Sequence, residues 1–212
     1  MLDVVTVTGG RRLRTDAART VERILRAARE VYAELGPDAA IDVIAARAGV
    51  GERTLYRRFP TKGDLVRAAL NQSIDDNLSP AIKVAHRADD PLQGLTRLIE
   101  TATALGAREH HLLAAARKTD ALSNISDQLD EALSGLLTRA QRDGLVREDL
   151  VAEDLSRIMF MLNSVLWTMD PASGGWRRYV ALLLDAICTA DRRGLPPPVP
   201  IRFIPNLESW PL

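Results

Sequence analysis

Apolar residues recur at intervals of three and four over most of the chain, and this spacing predicts amphipathic α-helices almost throughout. The first apolar stripe lies within residues 15–35. Gly36-Pro37 ends it, because glycine suits the left-handed position after a helix and proline cannot continue one. No alternating pattern typical of paired strands and no internal repeat stands out. The pattern therefore predicts an all-α fold.

The helices divide into a small N-terminal unit and a larger C-terminal bundle. A long helix is predicted to begin after Thr61, and Pro80 either kinks it or ends it near Ser79. Asp89 or Asp90 is expected to cap the helix that follows. The other predicted helices span about residues 41–48, 52–58, 91–105, 109–118, 127–143, 152–169 and 175–190.

The composition is that of an ordinary globular protein. Hydrophobic residues make up 46% and charged residues 26% of the 212 positions. No apolar run approaches the roughly 20 residues that a membrane-spanning helix needs. The first arginines follow a short apolar stretch, whereas a signal peptide has the opposite order. We therefore expect a cytoplasmic protein that does not associate with a membrane.

The net charge is zero, but the charges are unevenly distributed. Residues 1–70 hold 13 Lys/Arg and 9 Asp/Glu, while residues 71–212 hold 15 and 19. A basic N-terminal part suits a polyanionic partner near that end. The imbalance is small, so it indicates a nucleic-acid partner only in combination with a motif.

Residues 41–59 read IDVIAARAGVGERTLYRRF and predict a helix-turn-helix. Gly49 would take the turn position that needs a positive φ, and Val50 would fill the space between the two short helices. Short helices joined by a glycine turn occur in any all-α protein, so the turn alone leaves the plain structural interpretation open.

The residues on and after the second short helix favour DNA binding. Its length suits the major groove, which admits one α-helix, and Glu52, Arg53 and Arg57 are expected to point outward. A second set clusters where such a helix would meet the phosphates of bound DNA. This set comprises Tyr56, Arg58 and Lys62.

Residues 24–70, ILRAAREVYAELGPDAAIDVIAARAGVGERTLYRRFPTKGDLVRAAL, closely resemble the DNA-binding domain of the TetR/AcrR family of bacterial transcription regulators. The elements IA…AGV, TLY.RF and P-T-K-x-x-L match in order and spacing. The stretch GGWRRYVALLLDAI, residues 174–187, resembles more weakly the last helix of some family members.

The resemblance implies a homodimer that binds a double-stranded DNA operator through paired helix-turn-helix units. Tyr56 and Lys62 match the family's phosphate-contacting residues, and Thr54 and Arg58 match further backbone contacts. The family reads bases from the positions of Glu52, Arg53 and Arg57. We therefore expect a flexible arm (1–14), a helix-turn-helix domain (15–70), an effector-binding and dimerisation domain (71–193) and a proline-rich tail (194–212).

The chain departs from the family pattern at two positions. Gly51 stands where many members start the second short helix with Ser, a change that weakens the cap by only a few tenths of a kcal/mol. We still expect Gly51 at the DNA surface. Ala40 has no hydroxyl to cap the first short helix, and Asp42 is expected to compensate through the helix dipole.

The resemblance also implies an effector pocket in the larger domain, and its expected lining is apolar. The expected lining residues are Leu105, Leu113, Leu137, Met159, Leu162 and Trp167. For each of them, plain core packing is the competing interpretation.

The last two helices are apolar on more than one face, which a monomer would leave partly uncovered. We therefore expect them to pair with their symmetry mates. The expected interface residues are Val180, Leu183, Leu184 and Ile187.

No catalytic constellation is present in the sequence. His110 and His111 are adjacent and point about 100° apart on a helix, unlike a metal-binding pair at i and i+4. Cys188 is expected to be a buried, inert thiol. We therefore expect no cofactor, no metal and no enzymatic activity.

The sequence thus predicts a ligand-responsive transcription regulator. We expect a repressor that a small, mostly apolar effector releases from its operator. The alternative is a helical small-molecule-binding or scaffold protein whose DNA-binding unit is vestigial.

Overall fold

The computed structural model describes residues 8–119 and 127–188, and within these ranges it contains helices and no strands, which confirms the predicted all-α class. The α-helices are α1 (Thr8–Leu35), α2 (Ile41–Ala48), α3 (Glu52–Arg58), α4 (Lys62–His86), α5 (Pro91–Arg108), α6 (His110–Lys118), α7 (Asp127–Arg142), α8 (Ala152–Val165) and α9 (Trp176–Cys188). Two 3-10 turns, Leu166–Thr168 and Pro171–Ser173, connect α8 to α9. No helix in the described ranges is long and apolar enough to cross a bilayer.

The structure differs from the prediction at the N-terminal arm and at Pro80. Helix α1 begins at Thr8, so residues 8–14 of the expected flexible arm are helical. Residues 1–7 and the predicted tail, 194–212, lie outside the described residues. Helix α4 continues through Pro80 instead of ending near Ser79. Pro80 lies on the exposed side of α4, where water can satisfy the carbonyl that loses its backbone partner.

Side-chain caps fix the starts of α4 and α5 as the sequence predicts. Thr61 and Asp64 form a reciprocal capping box, in which each side chain accepts the other residue's backbone N–H at 3.1 Å. The Asp90 carboxylate accepts the N–H groups of Leu92 and Gln93. The first of these caps holds Lys62 at the beginning of α4.

The helices enclose two hydrophobic cores. The N-terminal core contains side chains of α1, α2, α3 and the first half of α4. The C-terminal core is built by the second half of α4 with α5, α7, α8 and α9. Helix α4 belongs to both cores, so the two parts of the chain share one continuous helix.

Helix α6 packs into the N-terminal core, although the sequence assigned it to the C-terminal domain. Leu112, Ala115 and Ala116 of α6 are buried there among residues of α1 and α4. The predicted boundary at residue 70 therefore does not separate the cores. A segment that comes between α5 and α7 in the chain completes the core beneath the helix-turn-helix.

Close packing of α4 against α5 and α7 depends on Gly94. A Cβ placed on Gly94 would lie 2.9 Å from the Ala85 carbonyl oxygen and 3.0 Å from Cδ2 of Leu136. These distances are shorter than ordinary van der Waals contact, so a side chain at this position would push α5 away from its neighbours.

We expect Gly94→Ala to lower the free energy of unfolding by about 1–3 kcal/mol, because the backbone carbonyl of Ala85 cannot move aside without shifting α4. Gly135→Ala in α7 is the control, since its Cβ would meet only Cε1 of His86 at an ordinary 3.7 Å. That change should stabilise the protein by up to about 1 kcal/mol through helix propensity. Urea unfolding measures both. Equal stability of the two variants would contradict the packing argument.

Candidate nucleic-acid interface

The turn between α2 and α3 has the geometry that the sequence predicts. Gly49 adopts φ 64° and ψ 40°, in the left-handed region where a Cβ is unfavourable. Its N–H donates to the Ala46 carbonyl at 3.1 Å, and the N–H of Val50 donates to the Ala45 carbonyl at 3.0 Å. These bonds close α2 and redirect the chain into α3.

Helix α3 is attached to the N-terminal core through Leu55, which is fully buried. Because a seven-residue helix with one buried position projects most other side chains outward, α3 offers a polar outer face. The predicted contact residues of α3 are exposed, apart from a partly buried Thr54. The exposed ones are Gly51 at the cap and Glu52, Arg53, Tyr56, Arg57 and Arg58 in the helix.

The arginines of this face have no protein partner among the described residues. Arg53, Arg57 and Arg58 make no hydrogen bond and no ion pair there. Arg47 of α2 differs, because it bonds both carboxylate oxygens of Glu34 at 2.9 and 2.6 Å. The positive charges of the three α3 arginines are therefore available to an external anion, while the charge of Arg47 is compensated within the protein.

Lys62 lies at the edge of an open groove of about 470 Å³. Its Nζ donates to the carbonyl oxygen of Ala39 at 3.0 Å, which ties the start of α4 to the loop before α2. Tyr56 lines the same groove, so the structure brings together the two residues expected to contact phosphate. An ammonium group has three donors, so this bond leaves Lys62 two more for a phosphate oxygen.

The groove also contains carboxylates, whose charge is partly compensated. Asp38 binds Nζ of Lys118 in α6 at 2.6 and 2.9 Å, and this hydrogen bond holds the pKa of Asp38 below its usual value. Asp42 accepts the N–H of Val43 at the start of α2. Ala40 makes no side-chain cap, as the sequence predicts. The carboxylate of Asp42 therefore satisfies an amide that lacks a helical partner.

The predicted pocket residues do not form one group. Four of them share the C-terminal core, whereas Leu113 packs against the N-terminal core. Trp167 is 44% exposed, and its ring lies 3.9 Å from that of His110, measured between centroids. The four that share the core are Leu105, Leu137, Met159 and Leu162.

Two of the four predicted interface residues lie on the inner side of α9. Val180 and Ile187 are buried in the protomer's own C-terminal core, so a partner subunit cannot contact them. Leu183 and Leu184 are partly buried against the same core. Because α9 is apolar around most of its circumference, its pattern does not define which side faces inward. Among the large apolar side chains of these two helices, the exposed ones are Phe160 and Met161 of α8 and Tyr179 and Leu182 of α9.

The other side chains considered for a chemical role are Cys188 and the adjacent His110 and His111. Cys188 is exposed, which corrects the expectation of a buried thiol, because it lies on the outer side of the last turn of α9. Burial lowers the pKa of His110, and the neighbouring His111 lowers it further. In the described ranges, no group of three or more His, Cys, Asp or Glu side chains is arranged to hold a metal ion.

Comparison with known proteins identifies both parts of the chain. The model described as bacterial regulatory proteins of the tetR family matches residues 24–69. The model described as the C-terminal domain of SbtR-like transcriptional regulators matches residues 90–187. An uncharacterized HTH-type transcriptional regulator of Mycobacterium tuberculosis is 30% identical over 162 residues, covering 73% of this chain and 84% of the relative.

Two further relatives match less than half of the chain. The HTH-type transcriptional repressor LfrR of Mycolicibacterium smegmatis is 40% identical over 89 residues, covering 42% of this chain and 46% of that protein. The HTH-type transcriptional activator FasR of the same organism is 36% identical over 92 residues, covering 43% and 41%.

The fold is similar to that of solved regulators over both domains. The transcriptional regulator FadR from Bacillus subtilis, solved in complex with stearoyl-CoA, has a TM-score of 0.65 at 20% identity, covering 81% of this chain and 99% of that one. The likeness confirms a helix-turn-helix unit followed by a helical domain. The chain therefore belongs to the TetR family of bacterial transcription regulators.

Proposed function

We propose that the protein is a ligand-responsive repressor that binds its operator as a homodimer and is released by a small, mostly apolar effector. The exposed arginine face of α3 is the observation on which this proposal mainly rests, because it places unpaired cations on a helix that fits the major groove. The alternative, a ligand-binding or scaffold protein with a vestigial DNA-binding unit, gives no reason for three such arginines to be concentrated on one seven-residue helix.

The contacts divide into base reading and phosphate binding. Arg53 and Arg57, with Glu52, lie on the exposed face of α3 and would reach base edges. Tyr56 and Lys62 share the groove beside α2 and would bind the DNA backbone. Arginine can bond a guanine edge through two donors, which gives about 1–3 kcal/mol of discrimination. Phosphate contacts fix the position of α3 without selecting the sequence.

Dimerisation is supported by the exposed apolar side chains of α8 and α9. Met161 is 67% exposed and Phe160 48%, while Leu182 is 53% and Tyr179 41%. Side chains of this size on adjacent helices of a monomer would form an apolar surface in contact with water. A two-fold pairing of α8 and α9 would bury them and place two α3 helices on successive half-sites.

An apolar effector is supported by the chemistry of the C-terminal core. Its residues are almost entirely aliphatic, and Met159 can adapt to different ligand shapes. FadR of Bacillus subtilis, which shares the fold, binds stearoyl-CoA. Stearoyl-CoA is therefore a suitable first probe of operator release, and CoA without an acyl chain is its control. Effector and operator must weaken each other's binding by the same factor.

Repression is proposed because the repressor LfrR is 40% identical to this chain where it matches, whereas the activator FasR is 36% identical. FasR is an activator, so the sign of regulation requires its own experiment. A reporter gene behind the DNA upstream of this protein's gene would increase in expression on deletion of a repressor. A gel shift with the same DNA separates either regulator from the vestigial alternative, which would not bind.

We expect Arg57→Ala and Lys62→Ala to weaken DNA binding in different ways. Arg57→Ala should lower operator affinity and relax the base preference at one position per half-site, because it removes a base contact. Lys62→Ala should weaken binding to all sequences and reduce the slope of log affinity against log salt by about one, because it removes one phosphate contact. Fluorescence anisotropy over a salt series measures both effects.

The control for charge removal is Lys83→Ala, at an exposed site on the far part of α4. It should leave the affinity and salt slope close to those of the wild type. A Lys62→Ala variant with altered sequence preference and an unchanged salt slope would contradict the proposed roles.

We expect Met161→Glu and Leu182→Glu each to produce monomers, because a carboxylate in a buried apolar interface loses its hydration without gaining a partner. Both residues are exposed in the protomer, so the helical circular dichroism should be kept while operator binding is lost. Val84→Glu is the control, since Val84 is an equally exposed apolar residue on α4. Sedimentation at micromolar concentration should give twice the chain mass for the wild type and the control. A monomeric wild type would refute the assembly.

A further inference from the structure

Glu109, at the break between α5 and α6, is a carboxylate buried in the protein. Only 6% of its side chain is exposed. Oε1 accepts hydrogen bonds from Nη2 and Nε of Arg29 at 2.7 and 3.1 Å and from Oγ of Ser73 at 2.6 Å. Arg108 adds a weaker ionic contact at 3.6 Å. We name Arg29, Ser73 and Glu109 the polar joint, because they connect α1, the middle of α4 and the α5–α6 break.

The segment that follows Glu109 is bound to the DNA-binding unit, which we define as α1–α3 with the first half of α4. Nδ1 of His111 lies 3.1 Å from the carbonyl oxygen of Tyr32 near the end of α1, and because a carbonyl oxygen can only accept, Nδ1 is the donor of this hydrogen bond. At the other end of α6, Lys118 pairs with Asp38. Helix α6 is therefore held to this unit at both ends as well as by its buried apolar side chains.

The same break also contacts the C-terminal helices. His110 packs on Trp167, which lies in the 3-10 turn after α8. One turn earlier in α5, Gly106 lies against the side chain of Asn163 in α8, where a Cβ would collide with Oδ1. Residues 106–111 thus contact α8 and its following turn on one side and the DNA-binding unit on the other.

We propose that Glu109 is a positioning residue: the polar joint sets the orientation of the DNA-binding unit relative to α5 and α8. The consequence for operator binding rests on the proposed function, but the orientation itself does not. Hydrogen bonds to a charged group are directional, and a buried carboxylate without its donors is strongly unfavourable, so the joint permits few relative orientations. Apolar contacts between the same helices lack this directionality.

The competing explanation is that the joint only stabilises the fold. Replacing its residues with apolar ones distinguishes a positioning role from a purely stabilising role. Buried ion pairs can often be replaced by packed apolar side chains of similar volume without loss of stability. The triple variant Arg29→Met, Ser73→Ala, Glu109→Leu removes the directional bonds and leaves no buried polar group without its partner. Asp38→Ala with Lys118→Ala is the matched control, because it removes an exposed pair that also links α6 to the DNA-binding unit.

Orientation can be measured by electron paramagnetic resonance between two spin labels within one full-length chain. Ala46 in α2 and Glu131 in α7 are both exposed and would be changed to cysteine for labelling, with Cys188→Ser to leave two sites. Dilution with unlabelled protein removes distances between subunits. The measurement needs no operator and no effector, so it is independent of the proposed function.

We expect the triple variant to melt near the wild-type temperature but to show a broader or shifted distance distribution, while the control keeps the wild-type distribution. Operator affinity should fall about tenfold if one molecule in ten retains the competent orientation. A folded triple variant with the wild-type distribution would overturn the proposal. A changed distribution with unchanged operator affinity would overturn the coupling to DNA binding. A wild type that binds no DNA would refute the proposed function and leave the orientation result standing.

If the triple variant does not fold, Glu109→Gln and Arg29→Lys provide the same measurement, because each keeps most of the side-chain volume and leaves Ser73 in place. A broadened distribution in either folded variant supports positioning. A wild-type distribution in both, or failure of both to fold, would show that the joint serves stability alone and overturn the proposal.

Discussion

Seven residues are too few for a helix to be stable by itself in water, and the function proposed here depends on one such helix. Helix α3 is held by the burial of Leu55 and by the left-handed turn at Gly49. Both anchors are useful only if the core beneath them is rigid. That core is not built by the helix-turn-helix alone, since Leu112, Ala115 and Ala116 of α6 complete it. The element that would bind DNA therefore rests on a core to which a segment outside the helix-turn-helix contributes.

A net charge of zero is compatible with polyanion binding because the basic side chains are in two different states. Some are paired within the protein: Arg47 donates hydrogen bonds to Glu34 and lowers the pKa of that carboxyl, and Arg29 donates to Glu109. These pairs hold helices together and contribute little field at a distance. The arginines of α3 have no such partner among the described residues, so the local potential at α3 exceeds what the overall composition suggests.

The parts of the structure that local chemistry determines could be predicted from the sequence. A glycine that needs a positive φ, a Thr–Asp capping box and a proline-initiated helix each depend on neighbouring residues, and Gly49, Thr61 and Asp90 behave as expected. The inward side of α9 could not be predicted, because an apolar circumference leaves the direction of burial to the neighbouring helices. Burial of Val180 is set by contacts with residues far away in the chain.

The polar joint could not be predicted either, because it also depends on residues far apart in the chain. In addition, its charged residues are of a kind usually found on the surface. Glu109 follows Arg108 and precedes two histidines, a pattern typical of a solvated surface. Its partners are 80 and 36 positions away, at Arg29 and Ser73. No periodic signal relates residues at such separations, and only an alignment with covarying positions could have connected them.

The position of the joint bears on how an apolar effector could act at a distance. Leu105, Met159 and Leu162 are each less than one-tenth exposed within a single core, so a ligand among them must move α5 relative to α8. These helices are in contact at Gly106 and Asn163, and Glu109 follows the last residue of α5, Arg108. A displacement of α5 would thus reach a cluster whose hydrogen bonds tolerate little change in distance. Two discrete arrangements of the joint, rather than gradual bending, would then provide the two states that an effector and an operator select between.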